Sequence, residues 1–176
     1  MNLLHDIDPG TKKEMKVIIE IPKDSHNKYE IDKETGLIAL DRANYSSAAY
    51  PFDYGFVPQT LWEDGDALDV ILLTTYPLAV GVLVAARPVG LLKMIDSGDD
   101  DAKIIAVPAN DRRWEDVQDL NDLNKHTLRE MQHFYETYKA LKGKPSEVVV
   151  EGFGDKEQAE AAFEKGRAAY EAKKAA

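Results

Sequence analysis

The sequence contains no cysteine, and it has fewer basic than acidic side chains, with 22 Lys and Arg against 32 Asp and Glu. Without cysteine the chain has no disulfide, no zinc–thiolate site and no thiol nucleophile, which fits a reducing compartment. The formal net charge of −10 argues against a nucleic-acid-binding protein, because such a protein needs a basic face. An anionic ligand would therefore have to meet cations that are concentrated locally or supplied by a bound metal.

Long apolar segments are also absent from the sequence. The longest candidate, residues 78–86, has about half the length that a membrane-spanning helix needs. The N-terminus lacks a basic start followed by an apolar core, so we expect no signal peptide and a cytoplasmic protein without a membrane partner. The 176 residues are 44% hydrophobic, which predicts a single folded domain over residues 1–176.

Strand patterns dominate the first two-thirds of the chain, and helical patterns follow. The predicted strands cover residues 16–21, 28–32, 37–42, 50–56, 68–75, 81–95, 103–107 and 146–150. Pro88 and Gly90 interrupt the longest of them and predict a bulge. An apolar stripe predicts a helix over 121–141, and Asp155 begins a second one. This order favours an α+β fold that is mainly β: an OB-like, small, closed five-stranded barrel with two packed C-terminal helices.

The chemically most informative stretch is DGDALD at residues 64–69, where Asp64, Asp66 and Asp69 fall at the point where a turn becomes a strand. Two carboxylates about 4 Å apart repel each other by roughly 4 kcal/mol at an effective dielectric constant of about 20. A solvated acidic loop is the plain alternative. An EF-hand is excluded because the required acid, Gly and Glu positions are not matched. We favour a cluster that binds Mg²⁺, which prefers oxygen ligands.

A second acidic turn follows at residues 96–101. Asp96 and Asp101 bracket a Ser-Gly turn, so both could point into one pocket while Asp99 and Asp100 face water. Together the two turns suggest carboxylates that converge on the same ions. The other candidates each have an ordinary explanation when taken singly, as solvent-facing or core side chains: Glu20, Glu30, Lys28, Arg42, Lys103, Lys139, Tyr50, Tyr54 and Tyr138.

The set as a whole is more specific than its members, because the chain resembles the family I soluble inorganic pyrophosphatases of prokaryotic type. The matching segments occur in the family's order and spacing over nearly the whole length: IEIP at 19–22, KYEID at 28–32, LDR at 40–42, YPFDYG at 50–55, DGDALD at 64–69, RPVG at 87–90, KMID at 93–96, DAK at 101–103, AVP at 106–108, HFYETYK at 133–139 and VEG at 150–152. The implied activity is Mg²⁺-dependent hydrolysis of inorganic diphosphate to two orthophosphates by a metal-activated water.

The resemblance also implies a set of metal ligands. A first ion would be held by Asp64, Asp69 and Asp101, with Asp69 bridging to a second ion. Asp96, with Asp101, would hold an ion that arrives on the substrate. Two more carboxylates would act on the metals largely through water: Glu20 and Glu30. Two metals about 3.5–4 Å apart ionise an attacking water and offset the charge of the substrate.

The remaining implied roles concern the water and the two phosphate groups. Asp66 would act as general base toward the nucleophilic water, and Tyr54 is counted as catalytic as well as substrate-binding. The predicted phosphate ligands are Lys28, Arg42, Tyr54, Lys103, Tyr138 and Lys139. The family's prokaryotic members are usually hexamers built from two trimers, so the resemblance implies a homohexamer.

The sequence departs from the family pattern at a few positions, and two other functions stay open. Ala67 replaces a usual Pro, Thr137 replaces a His that helps join subunits in some relatives, and Pro145 and Phe153 replace Trp. These changes bear on loop rigidity and assembly. The chain could instead be a non-enzymatic, acidic metal-binding barrel that acts as a binding module, or a hydrolase of nucleoside triphosphates, although it has no Gly-rich phosphate loop.

Overall fold

The fold is built mainly from β-strands, as the alternating patterns predict. The elements of the computed structural model, which describes residues 1–143 and 147–175, are β1 Gly10–Thr11, β2 Glu14–Ile21, β3 Asn27–Ile31, β4 Ile38–Ala43, β5 Asp53–Phe56, β6 Asp69–Leu72, β7 Leu83–Asp96, β8 Asp99–Asp100, β9 Lys103–Pro108, α1 Lys125–Thr137, β10 Val148–Gly154 and α2 Lys156–Ala175. Among these residues, no helix combines the length and the apolar character needed to cross a membrane.

Five of the described strands pair in a closed ring. β2 pairs with β5, β5 with β6, β6 with β9, β9 with β7, and β7 returns to β2. The β6–β9 pair is parallel and the others are antiparallel. With α1 and α2 beside it, this ring confirms the predicted fold class, a mainly β protein with a small five-stranded barrel and two C-terminal helices among the described elements.

Two local features allow the ring to close. A Cβ atom at Gly55 would lie 1.9 Å from the carbonyl oxygen of Ile18, so only glycine permits the approach of β5 to β2 at this point. The long strand β7 shifts its register against β9 between Pro88 and Gly90, which confirms the predicted bulge. The bulge bends β7, so that one strand pairs with β2 at its start and with β10 at its end.

The boundaries of several predicted elements are wrong. β1 forms before residue 16, where no strand is predicted, because Gly10 and Thr11 pair with the start of β2. The helix predicted over 121–141 is shorter: Asn124 accepts a hydrogen bond from the backbone N–H of His126 at 2.8 Å, so α1 begins at Lys125. Residues 120–122 and 140–142 form 3-10 turns instead. Ser146, the predicted start of the last strand, and Pro145 lie outside the described residues.

An aromatic cluster joins α1 to the ring of strands. Tyr50 and Phe134 have ring centroids 4.7 Å apart, and Phe52 stacks on Tyr135 at 5.7 Å. Phe134 in turn stacks on Tyr138 at 5.2 Å. Aromatic pairs at such separations add about 0.5–1.5 kcal/mol each beyond the burial of their area. The cluster therefore fixes the C-terminal end of α1 against β5, and with it the side chains that enter the cavity described below.

Asp53, within the YPFDYG segment, is a fully buried structural residue. Its carboxylate accepts hydrogen bonds from the backbone N–H groups of Lys23 and Leu78, both at 3.0 Å, and from the hydroxyl of Thr74. These bonds tie two separate loops, the one between β2 and β3 and the one between β6 and β7, to β5. The carboxylate therefore holds loops together in the interior instead of facing a ligand.

We expect Asp53→Ala to lower the free energy of unfolding by about 3 kcal/mol, because it leaves buried donors without an acceptor. Asp53→Asn keeps the acceptor oxygen and should lose less. Urea unfolding followed by circular dichroism measures both variants beside the wild type. Equal stability of the Ala variant and the wild type would show that these bonds are not needed.

Candidate active site

One cavity of about 330 Å³ gathers nearly all of the predicted site residues. The predicted residues that line it are Glu20, Lys28, Glu30, Tyr54, Asp64, Asp66, Asp69, Asp96, Asp101, Lys103, Tyr138 and Lys139. They come from β2, β3, β5, β6, β7, β9, the end of α1 and two loops. Arg42 is the one predicted site residue that is not among the described residues lining the cavity.

The hydroxyl of Thr60 joins the two ends of the loop that carries the first acidic stretch. Thr60, which is buried, donates from Oγ1 to the carbonyl oxygen of Val57 at 2.6 Å and accepts from the backbone N–H of Leu68 at 2.9 Å. The backbone N–H of Val57 also donates to the carbonyl of Leu68 at 3.0 Å. The two ends of the loop are thus held together, and the loop delivers its carboxylates to the start of β6.

Within this loop the two exposed aspartates differ in their contacts. Asp64 Oδ1 accepts from the backbone N–H of Asp66 at 3.0 Å, and Gly65 between them has a φ of +87°, as the predicted turn requires. The side chain of Asp66 is 56% exposed and forms an ion pair with Lys33. A candidate base therefore lies at the open side of the cavity, where a water molecule can reach it.

Lys103 lies at the centre of the site. Its Nζ donates to Asp69 Oδ2 at 2.7 Å, to Asp101 Oδ1 at 2.8 Å and to Tyr54 Oη at 3.0 Å, while its side chain is only 3% exposed. Burial alone would lower the pKa of Lys103, but the carboxylates of Asp69 and Asp101 raise it, so the ammonium stays charged. Lys103 thus offsets the repulsion between two predicted metal ligands.

The second acidic turn places Asp96 and Asp101 on the cavity wall. Ser97 and Gly98 have φ of +55° and +94°, which reverses the chain between β7 and β8. Asp96 forms an ion pair with Lys139, which follows α1. Burial would raise the pKa of Asp96, but this ammonium lowers it overall. The two acidic turns converge as predicted, with a cation paired to each.

The β3–β4 hairpin supplies the remaining charges. Lys28 Nζ lies 2.5 Å from Glu30 Oε2 and 2.9 Å from Asp41 Oδ2. Asp41 also accepts from Arg42 Nη1 at 2.5 Å, and the Arg42 guanidinium lies 5.2 Å from the ring centre of Tyr45. Asp41, which the sequence did not single out, therefore holds two predicted phosphate ligands side by side.

Burial and mutual repulsion raise the pKa of several carboxylates in the cavity. Burial, with the charge of Asp69 as the next cause, raises the pKa of Glu20 to about 8, although Glu20 Oε1 accepts from the backbone N–H of Ile31 at 2.7 Å. Burial is also the main cause that raises the pKa of Asp64 and of Asp101, and Asp69 adds to both. Such a concentration of carboxylates is stable only with counter-charges nearby.

Tyrosines line the same cavity as the acidic loop. Burial raises the pKa of Tyr50 to about 12 and raises those of Tyr54, Tyr135 and Tyr138 well above the usual value. Their hydroxyls are therefore hydrogen-bond donors at neutral pH. The Lys103 ammonium lies 5.3 Å from the ring centre of Tyr54 and 5.5 Å from that of Tyr135. Phenol donors and a cation thus lie next to each other in the cavity.

Some residues of the site were not predicted as functional. Tyr135 and Lys33 line the cavity, and Asp41 pairs with two cations next to it. Tyr135 lies in the apolar stripe of the predicted helix, which indicates packing and carries no signal of a polar role. Lys33 directly follows the KYEID segment, and Asp41 lies within the LDR segment. Only the pairing of β3 with β4 and the position of the acidic loop bring them to the site.

The arrangement defines the class of site. Carboxylates from two turns converge in one cavity, and lysines and buried phenols line the same space. Carboxylate oxygens suit hard divalent cations, and lysines with phenol donors suit phosphate oxygens. The cavity therefore combines the donor types that divalent cations and a small polyanion require.

Comparison with known proteins identifies the family. The family described as inorganic pyrophosphatase matches residues 17–171 of this chain. The inorganic pyrophosphatase of Leifsonia xyli subsp. xyli is 50% identical over 157 residues, which cover 89% of this chain and 95% of that protein. The crystal structure of inorganic pyrophosphatase from Thermus thermophilus has a TM-score of 0.92 at 44% identity and covers 97% of this chain and 99% of its own.

A second solved structure agrees: the inorganic pyrophosphatase of Helicobacter pylori has a TM-score of 0.90 at 42% identity, covering 94% of this chain and 99% of its own. This chain belongs to the inorganic pyrophosphatase family. The resemblance seen in the sequence and the predicted fold class are thereby confirmed.

Proposed function

We propose that this protein hydrolyses inorganic diphosphate to two orthophosphates, the activity for which its family is named. The observation that carries the proposal is the position of Lys103, which pairs with carboxylates from β6 and from the second acidic turn inside one small polar cavity. The site thus contains carboxylates, which a metal ion needs as ligands, and lysine, which diphosphate needs as a counter-charge. The alternative of a non-enzymatic binding module is not favoured, because the family is one of hydrolases.

The residues present fit a divalent cation, which we propose to be Mg²⁺. Among the described residues, no three Asp, Glu or His side chains are grouped closely enough to hold a metal ion as they stand, and the Lys103 ammonium lies between Asp69 and Asp101. The donors are nevertheless all carboxylate oxygens. Burial is the main cause that raises the pKa of Asp64 and of Asp101, and repulsion from Asp69 raises both further. Asp64, Asp69 and Asp101 would hold the ion, with Asp96, Glu20 and Glu30 around them. Bound Mg²⁺ would supply charge neutralisation and ease deprotonation of the attacking water.

The cations and phenols would hold the substrate. Lys28, Lys139 and Lys103 line the cavity with Tyr54 and Tyr138. Two of the three buried side-chain donors that have no hydrogen-bond partner among the described residues are Arg42 Nε and Tyr135 Oη. Unpaired donors beside lysines suit phosphate oxygens, which accept several hydrogen bonds at once.

Asp66 would act as the general base. Its carboxylate lines the cavity from an exposed loop, so a water molecule can approach it on the way to phosphorus. Asp66 would accept the proton of that water while the cations hold the leaving phosphate in place and offset its growing charge. Phosphoryl transfer depends mainly on position and charge, so no nucleophilic side chain is required.

Rates of phosphate release from diphosphate and from ATP, both with Mg²⁺, test the substrate class. We expect diphosphate to be the far better substrate, because the 330 Å³ cavity is lined by charged groups and tyrosines and a nucleoside would have to extend beyond it. Comparable rates for the two would favour a hydrolase of nucleoside triphosphates instead.

We also propose that the protein forms a homohexamer, as the family resemblance implies, and that it is a single cytoplasmic domain. Exposed apolar side chains on one stretch suit an interface, with Tyr76 70% and Leu83 51% exposed. Gel filtration should give a mass several times the 19.7 kDa of one chain. Elution at the monomer mass would contradict the hexamer without affecting the proposed reaction.

A further inference from the structure

Trp62 hydrogen-bonds both acidic turns. Its backbone N–H donates to the carbonyl oxygen of Asp66 at 2.7 Å, and its own carbonyl oxygen accepts from the N–H of Gly65 at 3.1 Å. Its indole Nε1 donates to Asp100 Oδ1 at 3.3 Å, in the second turn. The main chain of Trp62 thus shapes the first turn, while its side chain reaches the second.

Asp100 is half-buried and hydrogen-bonded within the protein, whereas the sequence predicted that it faces water. Besides the indole, its Oδ1 accepts from the backbone N–H of Ala102 at 3.0 Å. The bonds of Asp100 therefore enclose Asp101, the neighbouring carboxylate that pairs with Lys103. The hydrogen bonds that hold the Asp100 side chain therefore also hold the backbone at Asp101 in place.

The C-terminal helix α2 covers this contact. Trp62 is only 8% exposed, and the ammonium of Lys165 lies 4.5 Å from the centre of its ring. Lys165 also pairs with Glu63, the residue between Trp62 and Asp64. A cation over an indole face is attracted by the ring quadrupole. The indole is therefore held from outside in the orientation that reaches Asp100.

We propose that Trp62 is a positioning residue that sets the separation of the two acidic turns and thereby the affinity of the site for Mg²⁺. The inference rests on the proposed function, because it takes Asp64, Asp69 and Asp101 as the ligands. Trp62 is not among the described residues that line the cavity. Its side chain acts through Asp100 on the backbone that carries Asp101, so removal of the indole N–H affects binding of the ion and leaves the chemical step unchanged once the ion is bound.

The test is calorimetric titration of the intact protein with Mg²⁺, beside phosphate release from diphosphate as a function of Mg²⁺ concentration. Trp62→Phe keeps an aromatic ring under Lys165 but removes the N–H donor. We expect roughly tenfold weaker Mg²⁺ binding, the lower end of the range for residues that orient metal ligands. The value of kcat at saturating Mg²⁺ should be unchanged. Trp114→Phe is the matched control, since Trp114 Nε1 has no hydrogen-bond partner among the described residues.

Two variants of the acceptor keep the test decisive even if Trp62→Phe folds poorly. Asp100→Ala removes the acceptor of both the indole and the Ala102 N–H and should weaken Mg²⁺ binding at least as much as Trp62→Phe, whereas Asp100→Asn keeps an oxygen and should weaken it much less. Equal losses in the Asn and Ala variants would assign the effect to charge and overturn the proposal. The double variant should bind Mg²⁺ no more weakly than Asp100→Ala alone, because Asp100→Ala already removes the bond to Trp62.

The remaining outcomes separate this inference from the proposed function. A wild type that hydrolyses diphosphate, with Trp62→Phe binding Mg²⁺ as tightly as Trp114→Phe, would overturn the positioning role alone. A wild type that binds Mg²⁺ but releases no phosphate would overturn the proposed reaction while the titrations still decide the role of Trp62. A wild type that binds no Mg²⁺ would overturn both.

Discussion

Replacing Asp66 by Asn should lower kcat for diphosphate by about 10²–10⁴-fold, the usual contribution of a general base. The amide keeps the shape of the side chain but cannot take a proton from water. Because the side chain is 56% exposed and its ion pair with Lys33 is on the surface, the fold should be unaffected. Steady-state kinetics with circular dichroism measure both properties.

The matched control for this variant is Asp99→Asn. Asp99 is an exposed aspartate in the other acidic turn and does not line the cavity among the described residues. The Asp99→Asn variant makes the same chemical change at a similar distance along the chain from a predicted ligand, so its kcat should equal that of the wild type. If Asp66→Asn retained near-full activity, Asp66 would not be the base. If both variants lost activity equally, net charge would be the cause.

Replacing Lys103 by Met should impair both stability and activity. The side chain of Lys103 is 3% exposed, and its removal leaves Asp69 and Asp101 facing each other without a cation. Breaking a buried ion pair costs about 3–5 kcal/mol, and since both carboxylates are partly exposed we expect about 3 kcal/mol. The loss of a donor to the substrate should lower kcat by about 10²–10³-fold.

Magnesium distinguishes this explanation from a simple packing defect. Without Lys103, the carboxylates depend on a bound cation for neutralisation, so saturating Mg²⁺ should raise the melting temperature of Lys103→Met more than that of the wild type. Thermal unfolding with and without Mg²⁺ measures the difference. An equal shift in both proteins would mean that Lys103 and the cation do not neutralise the same carboxylates.

The fold could be predicted because its signals are local. Alternation of apolar residues predicted the strands, and Pro88 with Gly90 predicted the bulge that bends β7. The helix boundaries were less accurate because the apolar stripe continues into the 3-10 turns on both sides of α1. Only the cap shows where α1 begins, since the Asn124 side chain binds the His126 N–H.

The site could be predicted only in part, because its geometry depends on strand pairing. The acidic turns were visible as local clusters, but the other residues became candidates through the family resemblance. The central place of Lys103 follows from the parallel register of β6 and β9, in which Val70 lies opposite Ile104, so that Asp69 and Lys103 are neighbours. The contact of Trp62 with Asp100 joins residues 38 positions apart and leaves no pattern in the sequence.

Phosphate release from diphosphate, measured with and without Mg²⁺ on the wild type and on Asp69→Asn, tests the central claim most directly. The claim is that carboxylates converging beside Lys103 bind a divalent cation that enables hydrolysis of diphosphate. It predicts release by the wild type that requires Mg²⁺ and is almost abolished in Asp69→Asn. Release that does not depend on any divalent cation, or that persists at the wild-type rate in Asp69→Asn, would contradict it.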